Sequence, residues 1–449
     1  MKTDLLTGKP IKSIVLFALP IMASSMLQYN YNLIDNMIVG RFVGTDALAA
    51  VGSVGSINGF IIGTALGLTS GFTIAVAQSF GAGDRKKMNK YAGNSITLSA
   101  LIGVIIVVAA HILCYPLLRL LRTPENIIDM AASYLDVLYF AVPVQMLLNN
   151  FNALSRAVGE SKKPLYFLIV SVFVNLILDL LFVGFFKWGV IGAAWATNIS
   201  QIVAVVLSGV YILKYNKEFS IGIKEMKPDL NVCVSQIKTG IPISLQFTIT
   251  SVGSMTLQTA VNGFGSNVIA GFTAAGRVEQ LTNIPMSGLG VGTMTFVSQN
   301  YGAKSYDRII KSVKRIFILD IAVSAVCSLI LILIGPSVVT LFMSEYNEEI
   351  MFAAKHYLTA IAQCYSLVAV LFVFRNTLQG LGFTYANTIA GAGELFGRLA
   401  IALILTPLIG FDAVCYAGPA AWLLADIPLV VIYLRKQRRF KTLAAKEVE

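Results

Sequence analysis

The stretch GLTSGFTIAVAQSFGA, residues 67–82, returns as GLGVGTMTFVSQNYGA, residues 288–303, at a spacing of 221. Gly67/Gly288, Leu68/Leu289, Gly71/Gly292, Val76/Val297, Gln78/Gln299, Gly81/Gly302 and Ala82/Ala303 are identical pairs. At nearly the same spacing Pro20 meets Pro242 and Gly44 meets Gly265. The duplication sets the expected domain plan: an N-terminal lobe, 1–222, and a C-terminal lobe, 223–449, joined through a lysine-rich stretch from Lys214 to Lys238.

What the halves contain follows from composition. Of 449 residues 56% are hydrophobic and 13% charged, where a soluble domain carries about a quarter charged residues. A hydrocarbon core about 30 Å thick takes about 20 apolar residues per helical crossing. Apolar segments fall at 13–40, 49–80, 91–118, 127–155, 164–186, 189–213, 231–262, 268–300, 314–342, 350–378, 384–408 and 412–434. The expected fold is an all-α polytopic membrane protein of twelve transmembrane helices in two pseudo-symmetric six-helix lobes. An even number of crossings per copy makes the repeats parallel, a recurring plan for transporters that rock one half against the other.

The net charge of +11 has a topological explanation. With the N-terminus inside, the inner segments carry 27 of the 34 Lys and Arg, Arg375 among them. The outer segments hold Arg41, Arg119, Arg122, Lys187 and Lys355, and Arg277 and Arg398 fall within spans. This asymmetry places both termini in the cytoplasm and needs no nucleic acid partner. The first apolar stretch is too long for a signal-peptide core and reads as a retained helix. Five scattered cysteines form neither a disulfide framework nor a zinc motif. Two histidines and the lack of a G-x-x-x-x-G-K-[ST] loop argue against an enzyme and against ATP drive, which leaves an ion gradient, with no cofactor.

Each ionisable side chain inside a span costs at least about 2.5 kcal/mol on insertion scales and needs a reason. On the first segment Gln28, Tyr31, Asn32 and Asp35 form one polar stripe. Asn175 and Asp179 share a face of the fifth segment, and at about 1.5 Å per residue they fall, with Thr197 and Asp35, in the middle to outer half of the membrane. Two carboxylates, an amide carbonyl and a hydroxyl are hard oxygen ligands for Na⁺, and paired carboxylates in low dielectric also take up H⁺. The expected cation site is therefore Asp35, Asn175, Asp179 and Thr197. The repeat sets Thr256 against Asp35 and Ala402 against Asp179, so the site should be one-sided. The second half has Arg277, Glu279, Glu394 and Arg398 instead, fit either for a neutral structural cluster or for the cavity and its gating. Asn149 and Asn152, with Gln145 and Arg156, make another polar stripe that either lines a cavity or bonds to a neighbour. Asp136, Asp320 and Asp426 are assigned no role.

The stretch LFALPIMASSMLQYNYNLIDNMIVGRFVGTDALAAVG (16–52), VAQSFGAGDR (76–85), VNLILDLLFV (174–183), GVIGAAWATNIS (189–200) and FVSQNYGA (296–303) together resemble the multidrug and toxic compound extrusion (MATE) transporters over nearly the whole chain. The resemblance implies a V-shaped pair of six-helix lobes that expels organic, often cationic, compounds in exchange for Na⁺ or H⁺. Asp35 matches the first-helix acid of the DinF-like branch, and Asn175, Asp179 and Thr197 match that branch's cation-site residues. Pro20 matches the hinge proline where that helix is proposed to bend. The expected protein is thus a drug or metabolite antiporter of the inner (cytoplasmic) membrane, monomeric in the lipid bilayer. A lipid-linked sugar flippase or polysaccharide exporter of the same superfamily is the alternative, and a membrane-embedded enzyme the more distant one.

Overall fold

A computed structural model of the chain describes residues 3–44, 51, 54–120, 123, 125–341, 343 and 346–446. Lys2, Arg122 and the first residues of the second apolar segment lie outside them. Among the described residues every regular element is helical. The first copy of the repeat holds α1 (Pro10–Phe42), α2 (Gly55–Gly81), α3 (Arg85–Leu120), α4 (Glu125–Phe140), α5 (Val142–Ala157), α6 (Lys162–Asp179) and α7 (Gly189–Val210). The second holds α8 (Leu230–Val261), α9 (Ser266–Gly302), α10 (Tyr306–Leu333), α11 (Glu348–Gln363), α12 (Ser366–Gly380), α13 (Tyr385–Ala400) and α14 (Ala417–Lys446).

Eight of these helices, some extended by a π turn, are long and apolar enough to cross a membrane. The pairs α4/α5 and α11/α12 pass the same test when each is taken together, and are bent by 47° and 55°. Pro143, in the first turn of α5, accounts for the first bend, because it cannot donate a hydrogen bond back into α4. Two further long helices, α8 and α9, run 32 and 37 residues. Among the described residues, length and composition thus support eight crossings, or ten with each bent pair taken as one span, of the twelve expected.

The duplication is reproduced at the level of bends and breaks. Glu125 and Glu348 open α4 and α11 at the same spacing, 223, that separates Gly159 from Gly382. Those two glycines take φ of 85° each, a left-handed turn beyond the ends of α5 and α12 that a side chain would strain. A π turn follows α6 at Leu180–Phe185 and α13 at Ile401–Leu405.

Packing divides the chain differently from the sequence halves 1–222 and 223–449. One compact unit comprises Ala23–Ser244, and the other Asp4–Met22 with Leu245–Glu449. The change-over falls two residues after each repeated proline, Pro20 and Pro242, and the repeated glycines give its steric reason. A Cβ on Gly67 would lie 2.5 Å from Ser244 Cα, and one on Gly71 2.3 Å from Gly240 Cα, so α2 accepts the first half of α8 at backbone contact. Their counterparts on α9 receive the first half of α1: a Cβ on Gly288 would meet Met22 Cγ at 2.4 Å, and one on Gly292 would meet Ile14 Cγ2 at 3.3 Å. Ile14 and Phe17 are accordingly buried in the core of the second unit with Phe296, Val297 and Tyr365. The core of the first unit gathers Phe72, Leu135, Tyr139 and Met146. Apolar side chains such as Ile105, Ile112 and Leu333 stay exposed, as lipid-facing positions do.

Candidate functional site

Asn175 and Asp179 lie one helical turn apart on α6 with 2% and 1% of their surface exposed. Asp35, half-buried on α1, faces Asp179 within electrostatic range, and Asn175 lies against the same carboxylate. Asp35 Oδ1 and both oxygens of Asp179 are buried and accept no hydrogen bond, and Asn175 Nδ2 donates none. One turn before Asp35, the Tyr31 hydroxyl and Thr197 Oγ1 are hydrogen-bonded at 3.2 Å, which ties α1 to α7 beside the pair. The structure therefore brings together all four of the expected residues, on three helices of one unit.

Two facing carboxylates are unfavourable as bare anions in a low-dielectric site. Such a pair binds a shared proton or a cation readily. The ligand atoms on offer are hard oxygens, suited to Na⁺ or H⁺. Among the described residues there is no group of three or more His, Cys, Asp or Glu that could hold a metal ion.

The stripe on α1 splits. Tyr31 sits about 40° to one side of Asp35 around the helix and joins the site, whereas Asn32, about 60° to the other side, is exposed, and so is Gln28. Pro20 lies inside an α1 that continues unbroken to Phe42. Two residues near the carboxylates were not singled out by sequence. Ser200, on α7 three residues after Thr197 and bonded to its carbonyl at 2.8 Å, follows from helical spacing once Thr197 is chosen. Tyr134 of α4, buried and facing both acids, carried no such signal.

In the second unit the counterparts also meet. Thr256 and Ala402 line one cavity of about 350 Å³ with Val252, Met255, Thr259, Ala260 and Leu403. The place of the carboxylate pair is thus occupied by a methyl, hydroxyls and apolar walls, and the acid arrangement has no copy there.

The charged residues that the sequence singled out in this unit lie in two places. Glu394, 2% exposed, is ion-paired with Arg375 and with Arg398 at 3.5 Å, and Thr250 Oγ1 donates to it at 3.2 Å. Arg375, counted by sequence with the inner-segment charges, has its side chain engaged by Glu394 and only 11% exposed. Glu279 accepts from Tyr357 Oη at 2.6 Å and Asn283 Nδ2 at 3.4 Å, two residues beyond Arg277 on α9. Asp426 of α14, to which the sequence assigned nothing, lies near Arg375 and Glu394 with both oxygens buried and accepting no bond. In the first unit Asn149 and Asn152 are half-buried on α5, and the most buried amide of that helix is their neighbour Asn150, which accepts from Ser95 Oγ at 3.2 Å.

The MatE family model matches residues 20–181 and 242–396, so each copy of the repeat is matched from its proline onward. The chain is 29% identical over 433 residues, 94% of its length and 92% of the relative's, to "Probable multidrug resistance protein YoeA" of Bacillus subtilis (strain 168). It is 23% identical over 430 residues, 95% of its length and 94% of the relative's, to "Multidrug export protein MepA" of Staphylococcus haemolyticus (strain JCSC1435). Its fold is similar to a solved structure described as "Crystal structure of MATE in the bent conformation", with a TM-score of 0.89 and 23% identity over 99% of this chain and 98% of that one. With both copies of the repeat inside the matched region, the chain belongs to the MatE family of multi-pass membrane transporters.

Proposed function

We propose that this transporter is an H⁺- or Na⁺-coupled antiporter of the DinF-like branch that exports organic, mainly cationic, compounds by alternating access. In this reading it is a monomer of the cytoplasmic membrane with both termini in the cytoplasm. The observation that carries the reading is the pairing of Asp35 with Asp179, whose buried oxygens accept no hydrogen bond. Occupancy by an incoming cation removes the repulsion between the two carboxylates. An ion that binds the closed arrangement of α1, α6 and α7 better than the open one shifts the conformational equilibrium by that difference. Pro20 is the hinge available to α1, since a proline removes one helical hydrogen bond.

The export of drugs is supported by the relatives named as multidrug proteins. The rival reading, a lipid-linked sugar flippase or polysaccharide exporter, calls for cations free to meet phosphates within the spans. Arg375 and Arg398 are both engaged by Glu394, which favours a structural role for that set. Ethidium accumulation in drug-sensitive cells tests the reading: cells with the wild-type protein should accumulate less dye than cells with equal membrane levels of Asp35→Asn. Accumulation equal to that of cells without the protein would turn the assignment toward lipid-linked substrates.

A further inference from the structure

We propose that α11 carries a phosphate-binding site for the headgroup of an anionic membrane lipid, separate from the carboxylate pair. A cavity of about 280 Å³ opens along this helix, lined by Phe352, Lys355, His356, Thr359, Gln363 and Tyr416. In the proposed orientation its mouth lies at the outer leaflet, so the leaflet, though not the site, rests on that reading.

Two of the polar lining groups are held by neighbours. Tyr416 Oη donates to Gln363 Oε1 at 2.9 Å, which leaves the Gln363 amide NH₂ to donate into the cavity. His356 Nε2 is held by Asp412 Oδ1 at 2.6 Å, and Phe352 stacks on the imidazole with ring centroids 5.7 Å apart. Glu349, one turn before Phe352, is engaged elsewhere by Asn267 at 2.7 Å. Lys355 has no ion-pair partner among the described residues, and Asp412 is the acid facing the cavity through His356.

Lys355 sits seven residues into α11, about 10 Å below its start, and its four-carbon stem can lift the ammonium back to headgroup level. A cation there, on the side poor in Lys and Arg, lacks a counter-charge, and a phosphate supplies it. The apolar Phe352 and Ala360 beside these donors suit an amphipathic ligand better than a free anion. The fold does not impose this set. At the spacing of 223, Lys355, His356, Thr359 and Gln363 correspond to Ala132, Ser133, Asp136 and Phe140, which offer no base and one acid.

The test is thermal unfolding of the delipidated full-length protein in detergent with added dioleoyl-phosphatidylglycerol, dioleoylglycerol or inorganic phosphate. Phosphatidylglycerol should raise Tm by about 3 °C or more in the wild type, in Lys355→Arg and in the remote control Arg119→Ala, but not in Lys355→Ala. Dioleoylglycerol should do nothing. A rise with inorganic phosphate that is lost in Lys355→Ala keeps the site and makes its ligand a free phosphate. An equal rise in Lys355→Ala, or with dioleoylglycerol, would overturn the proposal.

Discussion

The hydroxyls of Tyr31 and Thr197, 166 residues apart in the chain, are hydrogen-bonded at 3.2 Å, and this contact anchors the turn of α1 that presents Asp35 to Asp179. The pair is fixed from both sides, because Asp179 closes α6 immediately before a π turn, a feature that re-aims side chains and is frequent at functional sites. Removing that anchor should loosen the site without changing its charge. Tyr31→Phe and Thr197→Val are each expected to weaken apparent ion affinity about 5-fold, the worth of one hydrogen bond near 1 kcal/mol. Titration of transport rate against Na⁺ or H⁺ concentration checks this.

Asp35→Asn and Asp179→Asn should each lower ion-driven export at least about 10-fold while leaving the protein folded in the membrane. The double variant should lose little more than either single one, since the two carboxylates act as one site. Export rates normalised to membrane levels decide this, and clearly multiplicative losses would separate the two acids.

The repeated glycines predict a strong contrast along a single helix. Gly71→Val drives a side chain into the Gly240 backbone and should destabilise the first unit by about 3 kcal/mol, or prevent a monodisperse fold. Gly59→Ala, on the same α2 but with nothing within 4 Å of its Cβ, should be neutral or stabilising by up to about 1 kcal/mol. Thermal unfolding followed by size-exclusion chromatography distinguishes them.

Arg375→Met leaves Glu394 buried with Arg398 as its remaining cation and should lower stability by about 3 kcal/mol. Adding Glu394→Gln should recover part of the loss. If Arg375→Met kept full thermal stability but lost export, the cluster would belong to the transport mechanism rather than to the scaffold.

Much of this was legible in the residues. The 221-residue repeat and the apolar segments carry the duplicated all-helical plan, since periodicity and length depend on each copy alone. Asp35, Asn175, Asp179 and Thr197 could be grouped by depth, because depth follows from residue count. Azimuth between helices does not, and so Gln28 and Asn32 were grouped with Asp35 whereas Tyr134 was not. The pairing of Arg375 with Glu394 was hidden for a related reason: a sequence position near the end of a segment cannot show which way the side chain turns. The exchange of helix halves at Met22 and Ser244 was written in Gly67, Gly71, Gly288 and Gly292, but their partners were visible only in three dimensions.

The most direct test of the central claim is export of a fluorescent organic cation in proteoliposomes under imposed Na⁺ and pH gradients, comparing the wild type with Asp179→Asn. One gradient should drive export by the wild type, and neither should do so for the variant. Gradient-driven export undiminished in Asp179→Asn would contradict a coupling site built on the Asp35 and Asp179 pair.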